Sequence, residues 1–170
     1  MFQCLVLAVT AVLIGLDQLT KWLAVTYLKN GQSVTAIPGV LEFSYVENEG
    51  AAFGMLQGGR WFLVALTTIL IAALAVFVLT GRFRRYKMFT VSGTLIIAGG
   101  VGNLIDRFIQ GYVVDFLKVT FMNFPVFNLA DCCVVVGSVL LLILFCFFYE
   151  EKPATEGAYA TDSTDNPPRG

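Results

Sequence analysis

Four apolar runs divide the chain: Phe2–Leu28, Trp61–Thr80, Met88–Ile105 and Cys132–Tyr149. Each approaches the roughly 20 mostly apolar residues that a helix needs to cross the hydrocarbon core of a bilayer, so each predicts a membrane span. Between the first two runs, Val40-Leu41-Glu42-Phe43-Ser44-Tyr45-Val46 alternates large apolar with mostly polar positions, the period of a half-buried strand. Pro38-Gly39 before it and Asn48-Glu49-Gly50 after it supply turn residues, and Gly111–Val119 offers a second extended piece. The pattern predicts an all-α integral membrane protein of four transmembrane helices with a small extracytoplasmic β element. From Glu150 onward the chain turns to Pro, Thr, Asp and Gly and has too little apolar surface to fold. Residues 1–149 are therefore expected to form one membrane domain, and 150–170 a disordered cytoplasmic tail.

Composition agrees with this division. The 170 residues are 57% hydrophobic and only 14% charged, with a mean hydropathy of +0.77; soluble domains carry about 25% charged residues. The net charge of −1 comes with no basic patch that would suit nucleic acid. Histidine is absent, which removes Ser-His-Asp catalysis, Cys-His catalysis and histidine metal sites together. Cys4, Cys132, Cys133 and Cys146 lie in apolar segments without metal or disulfide spacing and read as small buried hydrophobes. Asp17 and Lys21 interrupt the first run, no Lys or Arg precedes it and no clear small-residue cleavage site follows; it reads as a retained span, not a leader.

Orientation follows from the densest basic cluster, Arg82, Arg84, Arg85 and Lys87, in the short loop between spans two and three. The positive-inside rule places that loop in the cytoplasm, with both termini. The two long connections then face outward, and the polar residues of the spans gather at that face: Asp17 and Lys21 in the first, Gly102, Asn103, Asp106 and Arg107 ending the third, Asn128 and Asp131 opening the fourth. Trp22, Trp61 and Tyr112 fall at headgroup level, as an aromatic belt would.

An aspartate at the rim of a membrane-embedded segment is costly, which makes Asp115 and Asp131 functional candidates. Two of them suggest a carboxylate dyad that could handle protons and water. Asn128, three residues before Asp131, shares its face if that segment is helical; Asn103 and Arg107, four apart, share a face if span three continues that far. Asp17 and Lys21 have the i,i+4 spacing at which acid and base meet on a helix. The plainer alternatives are two unrelated rim aspartates, Asn103 as an interhelical hydrogen bond and Arg107 as the partner of Asp106. A proton channel would need polar residues through the whole membrane thickness, and the inner halves lack them.

Five blocks, Asp17-Gln18-Leu19-Thr20-Lys21, Asn48-Glu49-Gly50-Ala51-Ala52-Phe53-Gly54, Gly102-Asn103-Leu104-Ile105-Asp106-Arg107, Val113-Val114-Asp115-Phe116 and Phe127-Asn128-Leu129-Ala130-Asp131, resemble, in order, the signature blocks of the lipoprotein signal peptidases, or signal peptidase II. The resemblance implies an aspartic endopeptidase of the bacterial cytoplasmic membrane that cleaves prolipoproteins before a diacylglyceryl-modified cysteine. It implies Asp115 and Asp131 as the catalytic pair, and Asn48, Gly50, Asn103, Arg107, Asn128, Asp17 and Lys21 as substrate-binding or supporting residues. No metal or other cofactor is expected. The expected partners are the diacylglyceryl-prolipoprotein substrate and membrane lipids, with no nucleic acid, and the protein is expected to be a monomer.

Overall fold

The computed structural model describes residues 2–50, 58–80 and 87–148. The elements run α1 (Phe2–Leu28), β1 (Ser33–Ile37), β2 (Leu41–Asn48), α2 (Arg60–Leu79), α3 (Lys87–Ile109), β3 (Val113–Val119) and α4 (Leu129–Phe148). All four helices are long and apolar enough to cross a membrane. The expected basic loop, apart from Lys87, and the expected tail lie outside the described residues.

Two helix ends differ from the hydropathy edges by more than one residue, both at the polar end of the bundle. Helix α3 continues to Ile109 rather than stopping at Ile105, and α4 begins at Leu129 rather than Cys132. In each case charged residues stay helical because the fold supplies partners: Asp106 pairs with Lys21 at 3.0 Å, and Asp131 accepts the Asn128 backbone N–H at 3.1 Å.

Helix α3 is the hub and packs against α1, α2 and α4. Small residues make the approach possible, as they do wherever membrane helices come close. A Cβ on Gly102 would stand 2.5 Å from Asp17 Oδ2, and one on Gly99 would collide with the Ala130 carbonyl oxygen. The other helices turn large apolar side chains outward, among them Leu5 and Val12 of α1, Ile69 and Leu70 of α2, and Leu142 and Phe147 of α4. Such a surface suits lipid. The cysteines divide: Cys133 is buried and Cys132 half-buried, but Cys4 and Cys146 are exposed on the helix surface, contrary to the expectation for all four. In hydrocarbon an outward thiol has nothing to escape from.

The β element is a three-stranded antiparallel sheet in the order β1-β2-β3. Strands β2 and β3 match the expected extended segments; β1 is an additional edge strand, exposed along its length. The sheet rests on the end of α1 through Ala24, Leu28, Val114 and Phe116, with Tyr112 packed against that cluster. In the β2–β3 ladder Phe43 pairs with Leu117, but the next recorded pair is Val46 with Asp115, three steps on one strand against two on the other. This bulge resets the alternation of faces. Without it Glu47, not Asn48, would come to the face of Asp115.

Candidate active site

Asp115 and Asp131, 16 positions apart in the sequence, are brought together by a short return of the chain. Phe127 pairs with Leu117 as an isolated antiparallel bridge, through Leu117 N–H to Phe127 O at 2.8 Å and Phe127 N–H to Leu117 O at 3.0 Å. That contact sets Asn128 beside Asp115, immediately before α4 starts. Val113, Val114, Asp115 and Phe116 are all buried, so Asp115 reaches the site from the protected half of its strand.

Asn128 is the N-cap of α4. Its Oδ1 accepts the Asp131 backbone N–H at 2.9 Å, and the Asp131 carboxylate accepts the Asn128 backbone N–H in return. This reciprocal arrangement is a capping box, with aspartate in the usual place of glutamate or glutamine. A third donor of the same helix end, Ala130 N–H, is taken by Asp17 Oδ1 at 2.9 Å. Two carboxylates thus stand at the positive end of the α4 dipole, where negative charge is favoured.

The amide of Asn128 does further work. Its Nδ2 donates to Asp115 Oδ1 at 2.6 Å and to Asn103 Oδ1 at 3.1 Å, and Asn128 is fully buried. Asp115 Oδ2 accepts Asn48 Nδ2 at 2.9 Å, across a diagonal of the β2–β3 ladder. Asn103 Nδ2 donates to Asp131 Oδ1 at 2.7 Å. Every oxygen of the two aspartates therefore has an amide donor, and Asn128 links one carboxylate to the other. Burial pushes the Asp115 carboxyl up from 3.8 to about 6; the Asn48 amide opposes the rise, the Asp131 charge adds to it and Asn128 opposes it.

Behind the pair lies a buried ionic knot. Lys21 Nζ contacts Asp17 Oδ2 at 2.9 Å, Asp106 Oδ2 at 3.0 Å and Asn103 Oδ1 at 2.9 Å, which uses all three ammonium protons. Gln18 Nε2 adds a bond to Asp106 Oδ1 at 3.0 Å. Asp106 Oδ2 also accepts the Val114 backbone N–H at 3.2 Å, joining α3 to the strand that carries Asp115. Asn103 carries the knot forward to Asp131. A buried charge is tolerated in such a place only when paired.

Arg107 does not pair with Asp106, the plainer reading of its sequence position. Its Nη2 donates to Gly50 O at 2.9 Å, and Gly50 N–H donates to Asn48 Oδ1 at 3.0 Å. Arg107 Nε is buried without a hydrogen-bond partner among the described residues. One hydrogen-bonded network thus contains Asp17, Lys21, Asn48, Gly50, Asn103, Arg107, Asp115, Asn128 and Asp131. Sequence reasoning gave no individual role to Gln18 or Arg60, and it missed the capping box. An asparagine followed at three residues by an acid, ahead of an apolar run, is the signal that marks the last of these.

Comparison with known proteins points the same way. The family model described as "Signal peptidase (SPase) II" matches residues 9–148. A lipoprotein signal peptidase of Enterococcus faecalis is 37% identical over 154 residues, 91% of this chain and 94% of that protein. One from Symbiobacterium thermophilum is 43% identical over 150 residues, covering 87% and 96%. Among solved structures, a bacterial membrane enzyme determined by the in meso method at 2.3 Å resolution superposes with a TM-score of 0.79 at 31% identity, covering 91% of this chain and 96% of its own. With the model spanning most of the sequence and all five blocks inside the match, the chain belongs to the signal peptidase II family, the lipoprotein signal peptidases.

Proposed function

We propose that this protein is an aspartic endopeptidase of the bacterial cytoplasmic membrane that removes the signal peptide from diacylglyceryl-modified prolipoproteins, cutting before the lipidated cysteine. The observation that carries the reading is the Asn128 bridge, whose side chain holds Asp115 and whose backbone holds Asp131. Two acids so linked share one proton more readily than they both ionise. Asp115, with its raised pKa, holds the proton and polarises the scissile carbonyl. Asp131, at the α4 N-terminus, takes a proton from the attacking water. As water adds, the carbonyl oxygen gains charge and draws on the Asp115 proton. Collapse of the tetrahedral intermediate breaks the C–N bond, and the amine leaves with a proton returned by the dyad.

Arg107, Asn48 and Asn103 hold the substrate backbone, the Nε of Arg107 being a donor without a partner among the described residues. The site joins the C-terminal end of α3 to the N-terminal end of α4, and the positive-inside rule, applied to the basic residues that precede α3 in the sequence, makes that end the outer face. A substrate anchored by acyl chains in the outer leaflet brings its scissile bond to that depth. The test is incubation of purified protein with one prolipoprotein, with and without its diacylglyceryl group, followed by mass spectrometry. Cleavage before the modified cysteine, in the lipidated form alone, is the expected result; equal cleavage of both forms, or cleavage elsewhere, overturns it.

A further inference from the structure

We infer that Arg60 is a positioning residue for this active site, acting through the last turn of α3. The inference rests on the proposed catalytic reading. Arg60 opens α2, and its side chain reaches across to the end of α3. Its Nε donates to Arg107 O at 2.8 Å and its Nη2 to Phe108 O at 2.7 Å. A cation in the first turn of a helix opposes that helix's dipole, whereas a cation at a helix C-terminus is favoured. The placement of Arg60 is thus unfavourable for α2 and favourable for α3.

The accounting at the end of α3 shows what Arg60 supplies. The last carbonyls of a helix have no partner within it. Asp106 O is satisfied by the Gln110 and Gly111 N–H groups at 2.9 and 3.3 Å, and the next two, Arg107 O and Phe108 O, are satisfied by Arg60. The guanidinium also stands 5.0 Å from the centre of the Trp61 ring. Gly111 closes the corner with φ +94°, and a Cβ there would lie 3.2 Å from Arg60 Nη1. The fork is therefore fitted to this corner.

The corner matters because of what hangs from it. On one side, the same turn carries Asp106, which holds Val114 N–H, and Arg107, which holds Gly50 O. On the other side the chain runs from Gly111 into β3 and Asp115. Asp131 reaches the site from α4, so loosening the corner changes the placement of Asp115 and Arg107 relative to Asp131. The acyl-chain part of substrate binding is untouched by this path, so the loss should fall mainly on kcat.

The test is a double-mutant cycle in the full chain, purified with correct insertion and assayed on a diacylglyceryl-prolipoprotein, with thermal midpoints measured in parallel. Arg60→Gln should lower kcat at least tenfold with KM changed by less than about threefold. Arg60→Lys, which keeps the charge but cannot fork over two carbonyls, should lie nearer to Arg60→Gln than to the wild type. Adding Arg60→Gln to Arg107→Gln should lower kcat by less than about threefold more, because both substitutions disable one unit. Wild-type kcat in both Arg60 variants, or losses that multiply in the double variant, would overturn the inference. So would a loss carried wholly by a smaller folded fraction. Asp115→Asn and Asp131→Asn run beside them; if these retain turnover, the catalytic reading fails as well, whereas failure of the Arg60 arms alone leaves it standing.

Discussion

Asn128 and Asp131 cap one another across the first turn of α4, each accepting the other's backbone N–H, at 2.9 and 3.1 Å. The same asparagine reaches Asp115 with the rest of its amide. Serine at this position keeps an N-cap oxygen, but its single O–H on a shorter side chain cannot replace the amide that reaches both Asp115 and Asn103. Asn128→Ser should therefore retain most of the thermal stability and lose turnover tenfold to a hundredfold, as expected for removal of about 1.5–3 kcal/mol of charged hydrogen bonding. Asn128→Ala should lose about 1 kcal/mol of stability beyond that. Paired melting and turnover measurements separate the two roles, and full activity in the serine variant would show that the bridge is dispensable.

Replacing either acid of the pair should be far more damaging to chemistry than to folding. Asp115→Asn and Asp131→Asn each keep the size of the side chain and remove the ability to carry and exchange a proton. Cleavage should fall by at least about a thousandfold, some 4 kcal/mol in barrier height, while insertion and substrate binding persist. Single-turnover assays with binding measured separately would show this, and near-normal turnover in either variant would refute the pair.

The raised pKa of Asp115 fixes the sign of two pH effects. Its folded value of about 6 exceeds its ordinary value of 3.8, so the folded protein binds more protons than the unfolded chain between those values. The stability contributed by the neutral form is complete below about pH 4 and is lost as pH rises through about 6, a swing of roughly 3 kcal/mol. The difference in melting temperature between wild type and Asp115→Asn across that range isolates it.

The second effect is on rate. With Asp115 as proton holder, kcat/KM should decline as pH rises through about 6 in the free enzyme. The Asn48 amide favours the charged form of Asp115, so Asn48→Ala should move that limb to higher pH even as it slows the enzyme. A limb that stays fixed, or moves to lower pH, would show that another group controls it.

Lys21 offers a stability test away from the chemistry. Its ammonium is 2% exposed and faces Asp17 and Asp106, so Lys21→Met leaves two buried acids without their counter-ion. Breaking a buried pair in this way costs about 3–5 kcal/mol. The melting temperature should fall sharply and recover in part when Asp17→Asn and Asp106→Asn are added. A single variant as stable as the wild type would mean that the knot contributes nothing to the fold.

Much of this site can be read from the sequence because membrane burial makes polar residues conspicuous: against four apolar runs, Asp17, Lys21, Asn103, Asp115 and Asp131 each stand out. What escapes is set by partners distant in the chain. Hydropathy ends α3 at Ile105 because it counts Asp106 and Arg107 as polar, whereas Lys21 and Gly50, from other elements, make them acceptable inside the bundle. Strand β1 is exposed throughout and offers no alternation of burial to detect. The β2 bulge depends on the register against β3, which no single segment encodes. Arg60 reads as an ordinary interfacial arginine until the end of α3 is in place beside it.

The capping of α4 also bears on when the site comes into being. Synthesis proceeds from the N-terminus, and Asp131, with the Asn128 cap that orients it, belongs to the last of the described helices. A nascent chain with only α1–α3 and β3 in the membrane already holds Asp115, Asn48 and the Lys21 knot, yet has one acid and no bridge. On the proposed catalytic reading, proteolytic competence arises in a single late step, when α4 inserts and Asp17 takes its Ala130 N–H. On that reading the unfinished chain is inert until its last helix is in place.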